Sequence, residues 1–589
     1  MMARRMRTLP WIAGGMLLLA SCVIVVPLRA QETKSTPGAA EHPAPIAAAS
    51  APSAATSGIS TPPEVWAAAG KAAATDTVLQ AMYEELDRSK SRLKMENVSA
   101  PYYIEYRLTD FDEYDAEAAF GALELKQRAH ARTIRVVVRV GDYKLDSYYG
   151  PGMGVVDLGP LDNNSIALRR QLWMATDRAY KSANEALAAK KALLSQFTAG
   201  QPFNDFAPAT PLQQIDPLVK LDFDPEPWDA MLEKASSVYR NDPQIESLTS
   251  TLRFRAVNTY FLNTEGTVTR NGYAIYSLIL SGATQASDGM RLERSPYYTA
   301  GTLAELPSAD EFQADAVAMA DTLRKLREAP IVDEEYRGPV LFSSDAACDV
   351  FAGMIGGNVL GTRPKPGDSA RTNGEFASSY KSRVLPTFVS VVDDPTLKTF
   401  QGKTLVGSYE VDEEGVRATK VPVIEDGILD NYLMGREPIR DFPDSNGHGR
   451  AAPGRQPSPS IGNLIVESKV ASTPEELKKK LIDMCQDEGK PYCYRVETLA
   501  DYNPRLLYRV YVSDGHEQLV RGANFNELDT RSLRNDLIAV GNDPLVSNRQ
   551  GFVPMTVIAP SILFDEIEVK RTPAKNAKLP EYPPPDLSK

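Results

Sequence analysis

Metal-assisted hydrolysis needs imidazole, thiolate or carboxylate ligands converging on one ion, and this chain offers only four histidines, His42, His130, His448 and His516. Catalytic zinc usually takes three side-chain ligands and keeps one position for water. No pair of these histidines has a local ligand spacing. His516-Glu517 begins like a zinc-binding helix motif, but Val520 stands where its second histidine belongs, and Asp514-Gly515 reads as a hairpin turn. A metal site would have to combine His448 with carboxylates such as Asp393 or Glu413. Ser445 shares a loop with His448, so the two could form a nucleophile–base pair. No Gly-x-Ser-x-Gly elbow occurs. Gly402-Lys403-Thr404 matches the end of a phosphate loop, but Leu397 replaces its first glycine and a strand follows. Ser-x-x-Lys occurs at Ser91/Lys94 and Ser378/Lys381, a pattern short enough to arise by chance. Asp393-Asp394 and Asp412-Glu413-Glu414 could be paired carboxylates; lying between strands, they read as solvated turns.

Around these residues the pattern is α+β. Helical spacing covers Thr75–Leu93, Ile166–Gln196, Ala309–Arg327, Asp345 to about Leu360, and Thr473–Met484. Strand-like runs include Tyr102–Leu108, Ala118–Leu125, Thr133–Val140, Leu252–Ser281, Gly338–Phe342, Phe388–Val392, Val553–Ala559 and Ile562–Val569. Asn263–Gly266 and Arg270–Gly272 read as hairpin turns within the longest of these. Thr404–Val411 and Val416–Ile424 read as a hairpin joined at Asp412–Gly415, and Glu425-Asp426-Gly427 turns into Ile428–Met434. Residues 361–386 and 441–462 are long Gly/Pro-rich loops, the kind that is functional or disordered in a compact domain. Ala329-Pro330 marks a boundary between an N-terminal domain, 73–330, and a C-terminal domain, 331–571.

The amino terminus carries Arg4, Arg5 and Arg7 before an uncharged apolar run from Trp11 to Leu28, the layout of a secretory signal over residues 1–30. Cleavage after Leu28-Arg29-Ala30 competes with a lipobox-like Leu19-Ala20-Ser21-Cys22 that would lipidate Cys22. An uncleaved anchor is a third course, and any membrane attachment rests on that anchor or on the lipid. The expected location is the periplasm or cell envelope. Residues 31–72, rich in Ala, Pro, Ser and Thr, read as a disordered tether, and 572–589 as a Pro-rich tail. A formal charge of −12 argues against a nucleic-acid partner. Cys348 stands in an apolar helix as an inert thiol. Cys485 and Cys493 flank a short polar loop, either as a disulfide or as two unpaired thiols.

The second half also carries an ordered set of segments. Gly338-Pro339-Val340-Leu341 is followed by a helix, a long loop and Val392-Asp393-Asp394-Pro395. Then come Asp412-Glu413-Glu414-Gly415-Val416, Ile424-Glu425-Asp426-Gly427-Ile428-Leu429 and Asn446-Gly447-His448-Gly449-Arg450. With Asn263-Thr264-Glu265-Gly266 and Ala559-Pro560-Ser561-Ile562-Leu563, this order resembles the TldD/PmbA (modulator of DNA gyrase) metallopeptidase family. The resemblance implies a two-domain α+β architecture, with a mixed α/β N-terminal domain and a mainly antiparallel β C-terminal domain. It also implies two kinds of subunit. One carries His-Glu-x-x-x-His on the helix after that first strand, binds zinc and cleaves flexible peptides; the other lacks the motif and serves as its partner.

Here Ala352 and Gly357 occupy the ligand positions and Gly353 the general acid/base position. None can hold a metal through a side chain, so no cofactor is expected. Gly353, Gly356, Gly357 and Gly361 either let this helix approach another segment closely or are tolerated where catalytic residues are absent. The expected role is a noncatalytic peptide-binding or scaffold subunit of a proteolytic complex, a homo- or hetero-oligomer with a related family subunit. Arg363, Arg371, His448 and Arg450 in the two long loops are its candidate contacts to flexible peptides. An active metal-dependent peptidase with non-standard ligands and an envelope structural protein are the alternatives.

Overall fold

The computed structural model describes residues 58–96, 98–197, 203–332, 334–525, 528–551 and 553–572. The signal, Cys22, His42, most of the tether and nearly all of the Pro-rich tail lie outside the described residues. The first half is built on a long hairpin. β1 (Pro101–Ala119) and β2 (Ala122–Val140) pair from Tyr103↔Arg139 to Ala119↔Ala122. Their joint, Phe120-Gly121, has φ of 52° and 74°, the left-handed pair that a two-residue turn between twisted strands demands. The run expected as a strand from Ala118 to Leu125 therefore straddles this turn.

β3 (Val155–Leu158), β4 (Gln213–Ile215), β5 (Ser247–Asn263) and β6 (Val268–Gln285) extend the sheet in the order β3-β2-β1-β5-β6-β4. β7 (Arg291–Arg294) and β8 (Tyr297–Ala300) both pair on β6, making eight strands. Arg270-Asn271-Gly272, expected as a turn, lies inside β6 opposite Tyr260, Thr259 and Asn258. The glycine is needed for packing. A Cβ there would come within 2.6 Å of Asn258 Oδ1, whose amide accepts from Val219 N at 2.9 Å and donates to Val219 O at 2.8 Å.

Strand alternation gives this sheet two different faces. Even-numbered residues of β1, from Ile104, Tyr106 and Leu108 to Tyr114, Ala116 and Ala118, lie in the cores under the helices. α1 (Pro63–Ala73), α2 (Thr77–Arg92) and α3 (Ser165–Leu194) cover one end; α4 (Pro225–Ser236) and α5 (Ala309–Glu328) cover the other. α2 starts at Asp76, whose carboxylate accepts from Val78 N and Leu79 N, and α5 starts with a Ser308/Glu311 capping box. The odd-numbered Tyr103, Glu105 and Arg107 point the other way and are also buried. α1 corrects the expected limit of the tether. Proline at its first turn and an alanine-rich sequence favour helix, and Ala69 and Ala73 bury against the core.

The second half holds two larger sheets. Its strands begin with β9 (Tyr336–Phe342) and β10 (Val389–Asp393), then the two-residue pair β11 (Thr399–Phe400) and β12 (Lys403–Thr404). β13 (Val421–Glu425) and β14 (Ile428–Leu429) flank the expected Asp426-Gly427 turn; β15 (Gly449–Arg450) and β16 (Ser458–Pro459) form another short pair. β17 (Asn463–Ser468), β18 (Tyr492–Ala500), β19 (Asn503–Tyr511), β20 (Glu517–Val520) and β21 (Ala523–Phe525) follow. β22 (Leu537–Val540), β23 (Leu545–Arg549), β24 (Met555–Ala559) and β25 (Ile562–Arg571) complete the set. The six-stranded sheet runs β14-β13-β10-β17-β24-β23, and the seven-stranded one β20-β19-β18-β9-β25-β21, with β22 also on β25.

α6 (Ser344–Phe351) lies between these sheets, touching β18 and β9 of one and β23 and β24 of the other. Val350 and Phe351 are fully buried there, each contributing roughly 1.5–3 kcal/mol of transfer free energy. α7 (Pro474–Asp487) and α8 (Thr530–Asn535) complete the helices among the described residues, and none of these is long and apolar enough to cross a membrane.

The hairpin expected over 404–424 reduces to a single bridge, Val411↔Arg417. Asp412 replaces the ladder: its carboxylate accepts from Glu414 N at 3.0 Å, Val416 N at 2.9 Å and Gly449 N at 2.9 Å. His130 lies within β2, bonded to Asp110, and His516 lies in the expected turn, stacked on Tyr511. Lys403 begins a strand, so no phosphate loop forms. Cys485, in α7, is bonded to Cys493, in β18, and both are buried. Closing so short a loop stabilises by roughly 2.5 kcal/mol in the chain-entropy account. Non-reducing peptide mapping should recover the 485 and 493 peptides linked, and the Cys485→Ala/Cys493→Ala variant should unfold at lower temperature by about that free energy.

Candidate functional site

α6 is capped by Ser343, whose Oγ accepts from Ala346 N and donates to Glu497 O at 2.6 Å. With Ala346, Ala347, Cys348, Val350 and Phe351 turned inward, Asp345 and Asp349, one turn apart, fall on the opposite face. That face opens on a cleft of about 560 Å³. β7, β8 and their connection form one wall; Thr498, Leu499, Ala500 and Arg505, at the β18–β19 hairpin, form another; β23, an edge strand, forms the third. Asp349 pairs with Arg549 at 2.7 Å. Asp345 is exposed in the cleft and makes no ion pair among the described residues. Desolvation between the walls is the main reason both carboxyls titrate above the usual range; the charge of Asp349 adds to the effect at Asp345.

Arg294 donates to Thr498 Oγ1 at 2.7 Å, and its Nε is buried without a hydrogen-bond partner. Desolvation is the main influence lowering its pKa. Cys348, on the buried face of α6, lies against the carbonyls of Leu545 and Val557. Burial pushes its thiol up to about 12, so it is inert, as expected.

One turn beyond Asp349 the helix widens into a π-turn over Ala352–Gly356. Tyr502, at the left-handed tip of the β18–β19 hairpin with φ of 59°, lies directly over Gly353. A Cβ on Gly353 would collide with the Tyr502 hydroxyl, and one on Gly356 with Ile461 Cδ1. The glycines therefore permit close approach of side chains from other segments. A zinc ion does not fit this helix: Ala352, Gly353 and Gly357 supply no donor, Tyr502 occupies the space above, and Asp349 is held by Arg549. No group of three His, Cys, Asp or Glu residues among the described residues is arranged to hold a metal.

Residues 335–571 match the PmbA/TldA metallopeptidase C-terminal domain. The chain belongs to the TldD/PmbA family. A metalloprotease of Archaeoglobus fulgidus is 30% identical over 105 residues, 18% of this chain and 22% of that protein. Metalloprotease PmbA of Escherichia coli is 27% identical over 164 residues, 28% of this chain and 33% of that protein. The matched segments thus span no more than a third of these two relatives. A putative modulator of a DNA gyrase from Thermotoga maritima superimposes with a TM-score of 0.56 at 16% identity, over 83% of this chain and 100% of that one. TldE from Thermococcus kodakarensis gives 0.55 at 12% identity, over 83% and 99%. At these identities the likeness is one of fold, and it bears out the two-part α+β architecture of a TldD/PmbA protein.

The residues singled out in the long loops of this TldD/PmbA chain lie elsewhere and are already engaged. His448 is fully buried, with Nε2 3.2 Å from Asp393 Oδ1 and Nδ1 2.9 Å from Asn446 Oδ1. Ser445 donates to Met434 O at 3.1 Å, so it forms no nucleophile–base pair with His448. Arg450 is buried, donates to Glu413 at 2.7 Å and stacks over Tyr409. Arg363 pairs with buried Asp205, and Arg371 with Asp441, each at 2.7 Å.

The acidic turns also need correction. Asp394 caps a turn, accepting from Thr396 N, as expected, but Asp393, Asp412, Glu413 and Glu414 are buried. Cations from distant segments and inward-pointing amides hold them. Glu414 accepts from Arg436 N at 2.7 Å, and Arg436 donates to Glu265 at 2.7 Å and to Ala207 O. Arg107 donates to Glu413 O and Arg455 O. Glu413 is thus committed to Arg450, and Asp393 to His448 and Gly462 N. The cleft residues Arg294, Asp345, Asp349 and Arg505, and Tyr502 packed over Gly353, were missed. Only the Asp345/Asp349 spacing opposite an apolar helix face signalled them.

Burial pushes Glu414 up to about 7, and Asp412 is raised as well. The folded state therefore holds protons that the unfolded chain releases, and this contribution to stability fades as pH rises from about 4.5 through about 7. The thermal midpoint should fall between pH 5 and pH 8, and Glu414→Gln should flatten that dependence. A second expectation concerns Tyr502. Replacing a helical glycine by alanine is worth about 1 kcal/mol, offset here by displacing the ring. Gly353→Ala should therefore be neutral or destabilising alone and stabilising in a Tyr502→Ala background, as read by denaturant titration.

Proposed function

We propose that this chain is a noncatalytic, peptide-binding member of the TldD/PmbA family that works beside a motif-bearing subunit of a proteolytic complex. The observation that carries this reading is the contrast along α6. The segment where the family's motif would stand is closed by Tyr502 over Gly353, while Asp345 and Asp349 still face an open cleft. A cleft lined by Tyr297, Leu306, Leu499 and Leu545 together with charges of both signs can take up side chains of an extended chain. Edge strand β23 offers backbone groups for pairing along the same opening. Hydrolysis would need a polarising ion or an activated nucleophile there. The only cysteine on α6 is inert, and neither carboxylate lies beside a nucleophilic serine or histidine in the described contacts.

The amino-terminal signal supports a place in the periplasm or cell envelope, where a disulfide between Cys485 and Cys493 is stable. The test combines three measurements on the mature chain. Fluorescence anisotropy with extended peptides should show saturable binding. The same peptides and casein should remain uncut with or without added zinc. Pull-down from the source envelope should recover a related subunit that carries the motif. Zinc-dependent cleavage by the purified chain would overturn the noncatalytic reading, and absence of both peptide binding and a related partner would overturn the rest.

A further inference from the structure

We infer that Arg294 and Arg505 form a carboxylate-binding subsite in the α6 cleft, which takes the C-terminal carboxylate of a bound peptide. The inference rests on the peptide-binding reading and names what that site recognises. In a chain of net charge −12 a guanidinium has many carboxylates to meet; Arg549, at the end of β23 beside the cleft, has Asp349 at 2.7 Å. Arg294 and Arg505 form no ion pair among the described residues. Arg294 is fixed by Thr498 Oγ1 at 2.7 Å, leaving its Nε buried with no partner. Arg505 is exposed in the cleft, and its like charge is among the influences that lower the pKa of Arg294. Two neighbouring guanidiniums, one half-buried and held in position, carry charge that Glu497 and Asp345 offset only at a distance, without an ion pair, and that an anion bound between them would relieve.

The rest of the lining selects among anions. Glu293, Glu305, Asp345 and Asp349 also face the cleft, so a phosphate dianion would meet several carboxylates. A single carboxylate matches the guanidinium fork and carries only one charge. Tyr297 and Leu499 give the neighbouring peptide side chains an apolar surface. Arg294 ends β7, Arg505 follows the β18–β19 turn, and their approach depends on both halves of the molecule.

The test uses the mature full-length chain and an extended peptide labelled at its amino terminus. The peptide is prepared as the free acid, as the C-terminal amide, and with its Asp and Glu residues replaced by Asn and Gln. The free acid should bind about ten-fold more tightly than the amide, the effect of losing a charge-assisted hydrogen bond. The side-chain amides should change little. Arg505→Gln should abolish the preference for the free acid, read as the ratio of the Kd values of amide and acid, and Arg505→Glu should invert it. Arg294→Gln should act similarly, with its unfolding midpoint measured alongside; Arg505, being exposed, keeps the test independent of any folding loss. Equal binding of acid and amide would overturn the inference while leaving peptide binding intact. A preference that follows the Asp and Glu side chains, or inorganic phosphate competing as well as the free acid, would overturn the terminal-carboxylate assignment. Failure of every peptide form to bind would instead overturn the proposed function itself.

Discussion

Buried charge holds the two halves of this molecule in register. Arg436, wholly removed from water, crosses between them to Glu265 at 2.7 Å, while Arg450, almost as deeply buried, holds Glu413 at 2.7 Å within the second half. Arg107 reaches from the first sheet to the carbonyls of Glu413 and Arg455, and Arg436 from the second half to Ala207 O and Glu265. Losing one partner of such a pair leaves an uncompensated charge in a low-dielectric interior, typically about 3–5 kcal/mol. That cost makes relative sliding of the halves unfavourable and fixes where the odd-numbered face of β1 meets the loops after β12.

The cleft follows from that register. One of its walls belongs to the first half, at β7 and β8; the others belong to α6, the β18–β19 hairpin and β23 of the second. Arg294 crosses the boundary to Thr498, as Arg521 does to Asp288 and Ala329 O. The same packing that wedges α6 between two sheets turns Asp345 and Asp349 outward and leaves no room over Gly353. A TldD/PmbA fold is thus kept, with the Tyr502 ring packed over Gly353 on its central helix and a charged opening beside it.

Much of the fold was legible because it rests on local patterns. Asp76, Ser308 and Thr473 start helices through hydrogen bonds to amides within the next turn, and Asp426-Gly427 turns a hairpin by its own backbone preference. Alternation in Tyr102–Leu108 exposed the strand but not that both its faces are buried. Arg270-Asn271-Gly272 looked like a turn because glycine beside asparagine usually is one; its real constraint, room for Asn258, comes from the opposing strand. The acidic run Asp412–Glu414 looked solvated because its cations, Arg107, Arg436 and Arg450, are not local.

The sequence by itself determined the family's order of segments, the absence of ligands at Ala352, Gly353 and Gly357, and the inertness of Cys348 in its apolar helix. These depend on residue identity and short-range geometry. Only the tertiary structure decided which charges are paired. It drew His448, Arg450, Arg363 and Arg371 into internal contacts and left Arg294, Arg505 and Asp345 facing a cleft. The physical reason is that the environment of an ionised side chain is set by groups contributed from distant segments, and no periodicity along the chain encodes which of them will meet.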